Sequence, residues 1–314
     1  MSPPLPDTEP RAVSMRFRDF DEFSASNGVL ETEFVQLGSD PIESHMMRVS
    51  LDRLVLMRGF ENVPLATRVS GPSNACVLAL QLKAAGETFW RGREVNERTL
   101  FSYRPGAEHV ARTNGGMVWS ALVCEPVVLD ETIRRMHGTE PATAPELATA
   151  VESDPATIAA LRVALQQAFL IAEAAPHVLE SHAARRSLEE SILAAAIGAL
   201  DPQGDRPVLD GPPLSHERVV RRAADAIAEK LDAPIYVADR CEAAGVSERT
   251  LRNAFQSVYG MSPIRFLQLR RLHQVRRALR RDAAGSVTEV ALRHGFVNLG
   301  RFAAEYRQLF GESP

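Results

Sequence analysis

Arginine and asparagine side chains recur at helical spacing in two short segments near the end of the chain. The predicted base-contacting side chains are Ser247, Arg249, Arg252 and Asn253 in the first segment, and Asn298, Leu299 and Arg301 in the second. Arginine can donate two hydrogen bonds to one guanine, and asparagine can pair in the same way with adenine. These residue types indicate recognition of base edges in double-stranded DNA, provided that each segment forms an exposed helix.

The first segment is the second half of a predicted helix-turn-helix unit. The run VADRCEAAG indicates a short helix that ends at Gly245, and Ser247 is a typical N-cap for the helix that follows. Leu251 and Phe255 lie four residues apart on this second helix, and we expect both to face inward. The predicted base-contacting side chains then remain on its outer face.

The same arrangement recurs about fifty residues later. A helix that includes Val290 ends at His294-Gly295, and Asn298 caps the next helix. That helix carries Phe302 and Tyr306 four residues apart, which is the spacing of one inward face. The sequence therefore predicts a second helix-turn-helix unit.

Residues 263–280, between the two units, are predicted to form one helix with an apolar inward face and a basic outer face. The predicted phosphate-contacting side chains are Arg271, Arg276 and Arg277 on this helix and Arg307 in the second unit. Phosphate contacts fix the position of a protein on the duplex. A basic helix face is often simply solvated, and both interpretations remain open at this point.

This ordered set of residues resembles the C-terminal DNA-binding domain of the AraC/XylS family. The shared markers are S-x-x-x-L-x-x-x-F at 247–255, G-x-S-P at 260–263, Gly295-Phe296, and a final F-x-x-x-Y/F that closes on G-x-S-P at 311–314. The resemblance implies a transcription regulator, an activator, that binds double-stranded DNA and contacts RNA polymerase. The chain departs from the family pattern at Tyr236, Arg240 and Ala304, and Arg240 stands where the family usually has a buried leucine.

The charge distribution agrees with a DNA-binding C-terminal part. The whole chain has a formal net charge of −4, yet from Pro212 onwards it carries 17 basic and 11 acidic residues. A basic module on an acidic body suits attraction to phosphate, although a solvated basic face would show the same balance.

Residues 15–150 are predicted to form a β-rich domain. Apolar, β-branched runs such as LDRLVLMRGF, ACVLALQLKA and MVWSALVCEP are separated by turn sequences at 71–74, 104–106 and 114–116. Strands at this spacing indicate a sandwich or a small barrel. Several family members carry a cupin-like sensing domain here, so the resemblance implies the same layout.

The remaining boundaries follow from composition. We predict a disordered tail at 1–14, a helical pair at 151–200, a linker at 201–213 and the DNA-binding domain at 214–314. The fold class is therefore α+β: a β-rich N-terminal domain, a helical pair, and an all-α domain with two helix-turn-helix units. The helical pair could pack on the β domain or form the interface of a homodimer, and both alternatives stay open.

A small-molecule effector is the expected ligand of the β-rich domain. Phe89, Trp90, Tyr103 and Trp119 could line its pocket, although single aromatic residues in strands are more often core residues. The ending of the chain looks most like the XylS branch, and this resemblance implies an aromatic carboxylate as effector. The alternative is a domain that only dimerises or contacts protein partners.

The sequence shows no pattern typical of an enzyme. It lacks GxSxG, HExxH and P-loop motifs, and His45 and His109 are too isolated to suggest a metal site. Cys76, Cys124 and Cys241 are widely separated, which argues against a disulfide framework or a zinc site. We therefore predict no catalytic residue, no metal and no cofactor. With no apolar run of roughly 20 residues and no apolar leader, we also expect no membrane partner and a cytoplasmic location.

Overall fold

The computed structural model describes residues 11–27, 30–138, 148–200, 214–228, 241, 244–281 and 286–314. The predicted linker at 201–213 and the family departures at Tyr236 and Arg240 lie outside the described residues. The first described strand begins at Ala12, inside the stretch 1–14 that the sequence predicts as a tail.

Two antiparallel β-sheets form the N-terminal domain, which confirms the predicted β-rich fold class. The seven-stranded sheet contains β1 (Ala12–Phe17), β3 (Ser44–Ser50), β4 (Leu54–Glu61), β6 (Cys76–Ala84), β9 (Thr99–Tyr103), β11 (Met117–Cys124) and β12 (Ala148–Glu152), in the order β1-β3-β4-β11-β6-β9-β12. The five-stranded sheet contains β2 (Glu31–Gln36), β5 (Leu65–Ser70), β7 (Thr88–Trp90), β8 (Arg93–Val95) and β10 (Glu108–Thr113), in the order β2-β5-β10-β7-β8.

Helices account for most of the remaining described residues. They are α1 (Phe20–Asn27), α2 (Pro126–His137), α3 (Pro155–Ala174), α4 (His182–Leu200), α5 (Leu214–Ala228), α6 (Glu248–Tyr259), α7 (Pro263–Arg281), α8 (Val287–Arg293) and α9 (Leu299–Phe310). A 3-10 helix, Pro176–Glu180, joins α3 to α4.

Strand alternation gives each sheet two apolar faces. On β6 the side chain of Val77 packs between the two sheets, whereas its neighbour Leu78 packs under the helices. On β11, Val123 packs between the two sheets and Leu122 packs under the helices. Successive side chains of a strand point to opposite faces, so a continuous apolar run predicts a strand that is covered on both sides.

The helical pair packs on the outer face of the seven-stranded sheet. Asp154 caps α3 by accepting hydrogen bonds from the backbone N–H groups of Ala156 (2.8 Å) and Thr157 (3.4 Å). The inward face of α3, with Leu161 and Phe169, joins the core of the sheet. Among the helices that the structure describes, α3 alone is long and apolar enough by composition to cross a membrane, and core helices of water-soluble folds share this property.

The outer face of the five-stranded sheet carries the C-terminal helices. Val35, Ala66 and Val110 point outward from β2, β5 and β10 and join the core formed by Phe255 and Leu267 of the C-terminal domain. The chain therefore stacks in four layers: the helical pair, the seven-stranded sheet, the five-stranded sheet and the DNA-binding domain. This order places one sheet between the interior of the sandwich and the C-terminal helices.

Candidate nucleic-acid interface and sandwich cavity

The turn of the first helix-turn-helix unit is built as its sequence predicts. Gly245 adopts φ 67°, a left-handed conformation that glycine takes without steric strain. The Ser247 hydroxyl then caps α6 by accepting a hydrogen bond from the N–H of Thr250 at 3.2 Å. Leu251 and Phe255 are fully buried, so their predicted inward orientation is confirmed. The turn and the cap fix which face of α6 meets the solvent.

That outer face presents the predicted base-contacting side chains. Arg249 and Asn253 are exposed, and the side chain of Arg252 is 67% exposed beside Glu248, which it contacts at 2.8 Å. Ser247 is also exposed, but its hydroxyl is already engaged as the helix cap. Of the four predicted side chains, Arg249, Arg252 and Asn253 are therefore the ones on the exposed face of α6 that are not used as the helix cap.

The second unit repeats this construction. Gly295 has φ 77°, and Asn298 caps α9 by accepting a hydrogen bond from the N–H of Arg301 at 3.0 Å. The side chain of Arg301 is 71% exposed. Leu299 is 36% exposed, and Val297, which the sequence analysis did not single out, is 82% exposed. Apolar side chains at the start of such a helix can contact thymine methyl groups. Val297 is therefore a further candidate base contact, which its exposure in the structure identifies and its residue type does not.

The predicted phosphate-contacting arginines differ in their accessibility. Arg271 is buried against Gly295, and burial lowers the pKa of its guanidinium. Arg276 lies 4.6 Å over the Phe310 ring and pairs with Glu312 at 2.8 Å, which leaves 13% of its side chain exposed. In this conformation neither guanidinium lies on an open surface.

The other two predicted phosphate contacts are at least partly accessible. Arg307 is exposed and donates a hydrogen bond to the Ser313 hydroxyl at 3.2 Å. Arg277 is 40% exposed, but it donates from Nε to Asp21 of the N-terminal domain at 2.9 Å. Arg307 is thus the predicted phosphate contact that this conformation leaves most accessible.

Helix α7, which joins the two helix-turn-helix units, makes further polar contacts with the N-terminal domain. Arg270, which is 7% exposed, donates two hydrogen bonds to Glu33 of β2, at 2.5 and 3.0 Å. Arg280 pairs with Asp19. His273 accepts a hydrogen bond at Nε2 from the Gln36 N–H at 2.9 Å, and burial lowers its pKa to about 4, so that the ring is neutral at pH 7.

Helix α5 adds three ion pairs across the same interface. Arg91, in the turn between β7 and β8, pairs with the buried Glu217, and Arg68 of β5 pairs with Asp225. Arg221 of α5 pairs with Glu108 of β10 at 3.2 Å. Acidic residues of the N-terminal domain thus face arginines of α7 and of α5, while Arg68 and Arg91 face acidic residues of α5.

A cavity of about 150 Å³ lies between the two sheets. Trp90, Tyr103 and Trp119 line it, as does Phe101. Phe89, also predicted as a ligand contact, lies on the opposite face of β7 under Arg112, whose guanidinium is 4.0 Å from the ring centroid. Because Phe89 and Trp90 are adjacent in a strand, only one of them can face the cavity.

Two hydrogen-bonded clusters of different character are among the residues that line this cavity. In the first, Trp90 donates from Nε1 to the Tyr103 hydroxyl at 3.0 Å, and that oxygen lies 3.4 Å from His109 Nε2. Burial lowers the pKa of His109 to about 3 and raises that of Tyr103, so both side chains are neutral. In the second, Trp119 donates from Nε1 to Glu61 Oε1 at 2.6 Å, and burial raises the pKa of Glu61 to about 8.

The described residues bring no metal-binding cluster together. Among them, no group of three or more His, Cys, Asp or Glu side chains is placed to hold an ion. Cys76 and Cys124 are buried, and burial raises the pKa of both thiols. The expectation that the chain is not an enzyme stays a prediction.

Known proteins share the C-terminal part of this chain. A family described as "Helix-turn-helix domain" matches residues 240–314. The chain is 42% identical over 98 residues to a probable thc operon regulatory protein of Rhodococcus erythropolis, and 40% identical over 102 residues to a XylDLEGF operon transcriptional activator of Pseudomonas putida. These matches cover 31% and 32% of this chain and 30% of each relative, so the chain spans about a third of the length of the curated relatives it matches.

Two solved structures extend the comparison. A probable AraC family transcriptional regulator from Rhodopseudomonas palustris is 37% identical, covers 31% of this chain and 90% of its own, and has a TM-score of 0.29. The AraC-like transcriptional activator CuxR is 14% identical, covers 90% of this chain and 99% of its own, and has a TM-score of 0.41. With 37% identity to the Rhodopseudomonas regulator over 90% of that protein's length, and 42% and 40% identity to the two operon regulators, the chain belongs to the AraC/XylS family.

Proposed function

We propose that the protein is a transcription regulator, an activator, that binds specific double-stranded DNA through both helix-turn-helix units. The observation that carries this proposal is the pair of capped, solvent-exposed helix starts at Ser247 and Asn298, joined by the single helix α7. A rigid connection of this kind suits two successive major grooves on one face of the duplex, about 34 Å apart. The names of the matched relatives agree with this role.

Footprinting of the full-length protein on its genomic sites tests the proposal. We expect two protected groove segments about one helical turn apart, and affinity that falls steeply with salt as counterions are displaced from phosphates. Protection of a single groove segment would contradict the role of the second unit. Affinity that does not depend on salt would contradict the phosphate contacts.

The N-terminal sandwich is proposed to sense a small molecule. Its cavity is about the size that accepts one aromatic ring, and its lining is mostly apolar. Among the residues that line it in the described part of the chain, none is arginine or lysine. The cavity therefore supports the aromatic half of the expected effector, but it offers no counter-charge for a carboxylate, and an unpaired buried anion is costly.

Control of DNA binding is proposed to act through the interface between the domains. Arg277 is paired with Asp21 and Arg270 with Glu33, so arginines of α7 are held by acidic residues of the sensing domain. A ligand that binds better when these contacts are open shifts the population towards a DNA-competent state.

Dimerisation through the helical pair, contact with RNA polymerase and a cytoplasmic location complete the proposal. The observation that favours a dimer is the exposed side of α3, where Val163 and Leu170 lie seven residues apart and are 53% and 50% exposed. Sedimentation of the Leu170→Glu variant against wild type tests this surface. The alternative, an N-terminal domain that only dimerises or contacts proteins, predicts an intact dimer and no small-molecule binding.

A further inference from the structure

Three buried polar atoms lining the cavity have no hydrogen-bond partner among the described residues: Glu61 Oε2, Gln81 Oε1 and Thr88 Oγ1. The three residues are 3%, 6% and 6% exposed. Leaving such an atom unpaired costs about 1–3 kcal/mol, and native proteins leave few of them. The Trp90, Tyr103 and His109 group, by contrast, is connected within itself.

The Trp119 indole fixes the direction of the Glu61 carboxyl group. It lies across Gly59, where a Cβ atom would come within 2.3 Å of the indole ring, so a glycine is required there. Trp119 Nε1 donates to Glu61 Oε1, which makes Oε1 the acceptor. Since Glu61 is protonated at pH 7, the proton lies on Oε2, and this oxygen is the donor available to a ligand.

Gln81 and Thr88 complete the set of polar groups from the two sides of the cavity. Gln81 lies opposite Trp119 in the strand register of the seven-stranded sheet, and its amide oxygen can accept a hydrogen bond. Thr88 belongs to the five-stranded sheet and can either donate or accept. The three atoms without a partner thus comprise one donor, one acceptor and one group that can do either.

We propose that the cavity binds a neutral, single-ring aromatic molecule whose polar group both donates and accepts hydrogen bonds, such as a carboxamide or a phenolic hydroxyl, and that Glu61, Gln81 and Thr88 recognise this group. The inference rests on the proposed sensing function and specifies its ligand. A ring-sized volume selects one aromatic ring. The lack of arginine and lysine in the lining, together with a neutral His109, disfavours an anion.

Calorimetry of the full-length protein at pH 7 tests this inference with benzamide, phenol, benzoate, benzylamine and toluene. We expect benzamide or phenol to bind at least tenfold more tightly than benzoate, benzylammonium and toluene. Equal or tighter binding of benzoate or benzylammonium overturns the neutral class but leaves the sensing function standing. Equal binding of toluene overturns the polar recognition. If none of the five binds, the ligand class proposed here is overturned, and the sensing function is left to molecules of another class.

Variants identify the recognising residues. Glu61→Leu and the isosteric Thr88→Val should each weaken benzamide binding about tenfold, because each leaves one hydrogen bond unmade. Glu61→Gln should bind within about threefold of wild type, since an amide also donates and accepts. Phe89→Leu is the matched control on the other face of β7 and should leave affinity unchanged. A folded Thr88→Val protein and a folded Glu61→Leu protein that both bind normally would place the ligand elsewhere.

Discussion

Replacing Glu61 by glutamine should remove a large pH-dependent term from the stability of the β sandwich. Glutamine keeps an acceptor for Trp119 Nε1 and nearly the same volume, but it cannot ionise. Glu61 itself has a folded-state pKa of about 8, against an ordinary value of 4.5, because burial disfavours its charged form. The difference in unfolding free energy between Glu61→Gln and wild type therefore reports the ionisation of Glu61 alone.

The sign follows from proton binding. Below pH 4.5 Glu61 is protonated in both folded and unfolded chains and does not affect the pH dependence. Between pH 4.5 and 8 the unfolded chain releases the proton while the folded chain retains it, so wild-type stability falls as pH rises. The slope is about 1.4 kcal/mol per pH unit, or about 3 kcal/mol between pH 5 and pH 7.

Urea unfolding followed by tryptophan fluorescence measures this effect in the right domain. Trp90 and Trp119 are the two tryptophans of the chain, and both lie in the sandwich. His109 and His273 have lowered pKa values and change stability in the opposite direction below about pH 6.5, but these contributions cancel in the difference between variant and wild type. The stability of Glu61→Gln relative to wild type should therefore rise from pH 5 to pH 7.

A difference that stays constant across this range would refute the reasoning, since it would mean that Glu61 ionises normally in the folded protein. A difference that falls with pH would mean that Glu61 is stabilised as a carboxylate. In that case the ligand class proposed for the cavity would change with it.

Two further predictions concern DNA binding. Arg252→Ala should relax the base preference at one or two base pairs of the site, since a two-bond arginine–guanine contact is worth about 1–3 kcal/mol. Arg307→Ala should instead weaken binding to all DNA sequences alike and reduce the salt dependence by about one counterion. If both variants lost affinity equally on every sequence in a binding-site selection, this division of roles would be refuted. Asp21→Asn should raise DNA affinity without ligand by up to about fivefold, because a half-exposed ion pair is worth about 0.2–1 kcal/mol. Glu22→Gln, an exposed neighbour on α1, is the matched control, and an equal gain in that variant would indicate a general charge effect.

The C-terminal units were predictable because their signals are local. An N-cap serine or asparagine, a glycine in a left-handed turn and apolar residues four apart specify each unit within about twenty residues. The same information placed Arg249 and Arg301 outside, and their exposure in the structure agrees with it. Phe302 and Tyr306 also lie in the core as expected.

The burial of two arginines of α7 could not be predicted from the sequence of that helix alone. Helical periodicity assigns Arg270 and Arg271 to the polar side, yet both are buried, because the sheet and the second unit cover that side. Arg270 is compensated by Glu33, which lies 237 residues away in sequence. A pairing at that distance leaves no local pattern.

The cavity was only partly visible in the sequence. Its aromatic lining residues are conspicuous, and strand alternation would have separated Trp90 from Phe89. Glu61 is different, because a carboxylate at the end of a strand is usually solvated. Its burial follows from the indole of Trp119, which reaches across Gly59 from the neighbouring strand.

The five-stranded sheet links the two candidate sites because β2, β5 and β10 each contribute to both. On β2, Phe34 lines the cavity while Val35 packs against the C-terminal helices. On β5, Leu65 lines the cavity while Ala66 packs against the same helices.

Coupling between two binding events is reciprocal. If an effector favours the state in which Arg277 is released from Asp21, then DNA that occupies Arg277 must raise effector affinity by the same factor. Calorimetry of the effector with and without saturating operator DNA should show this gain, and Asp21→Asn should diminish it. Effector affinity that is identical with and without DNA would mean that the sheet separates the two sites without coupling them.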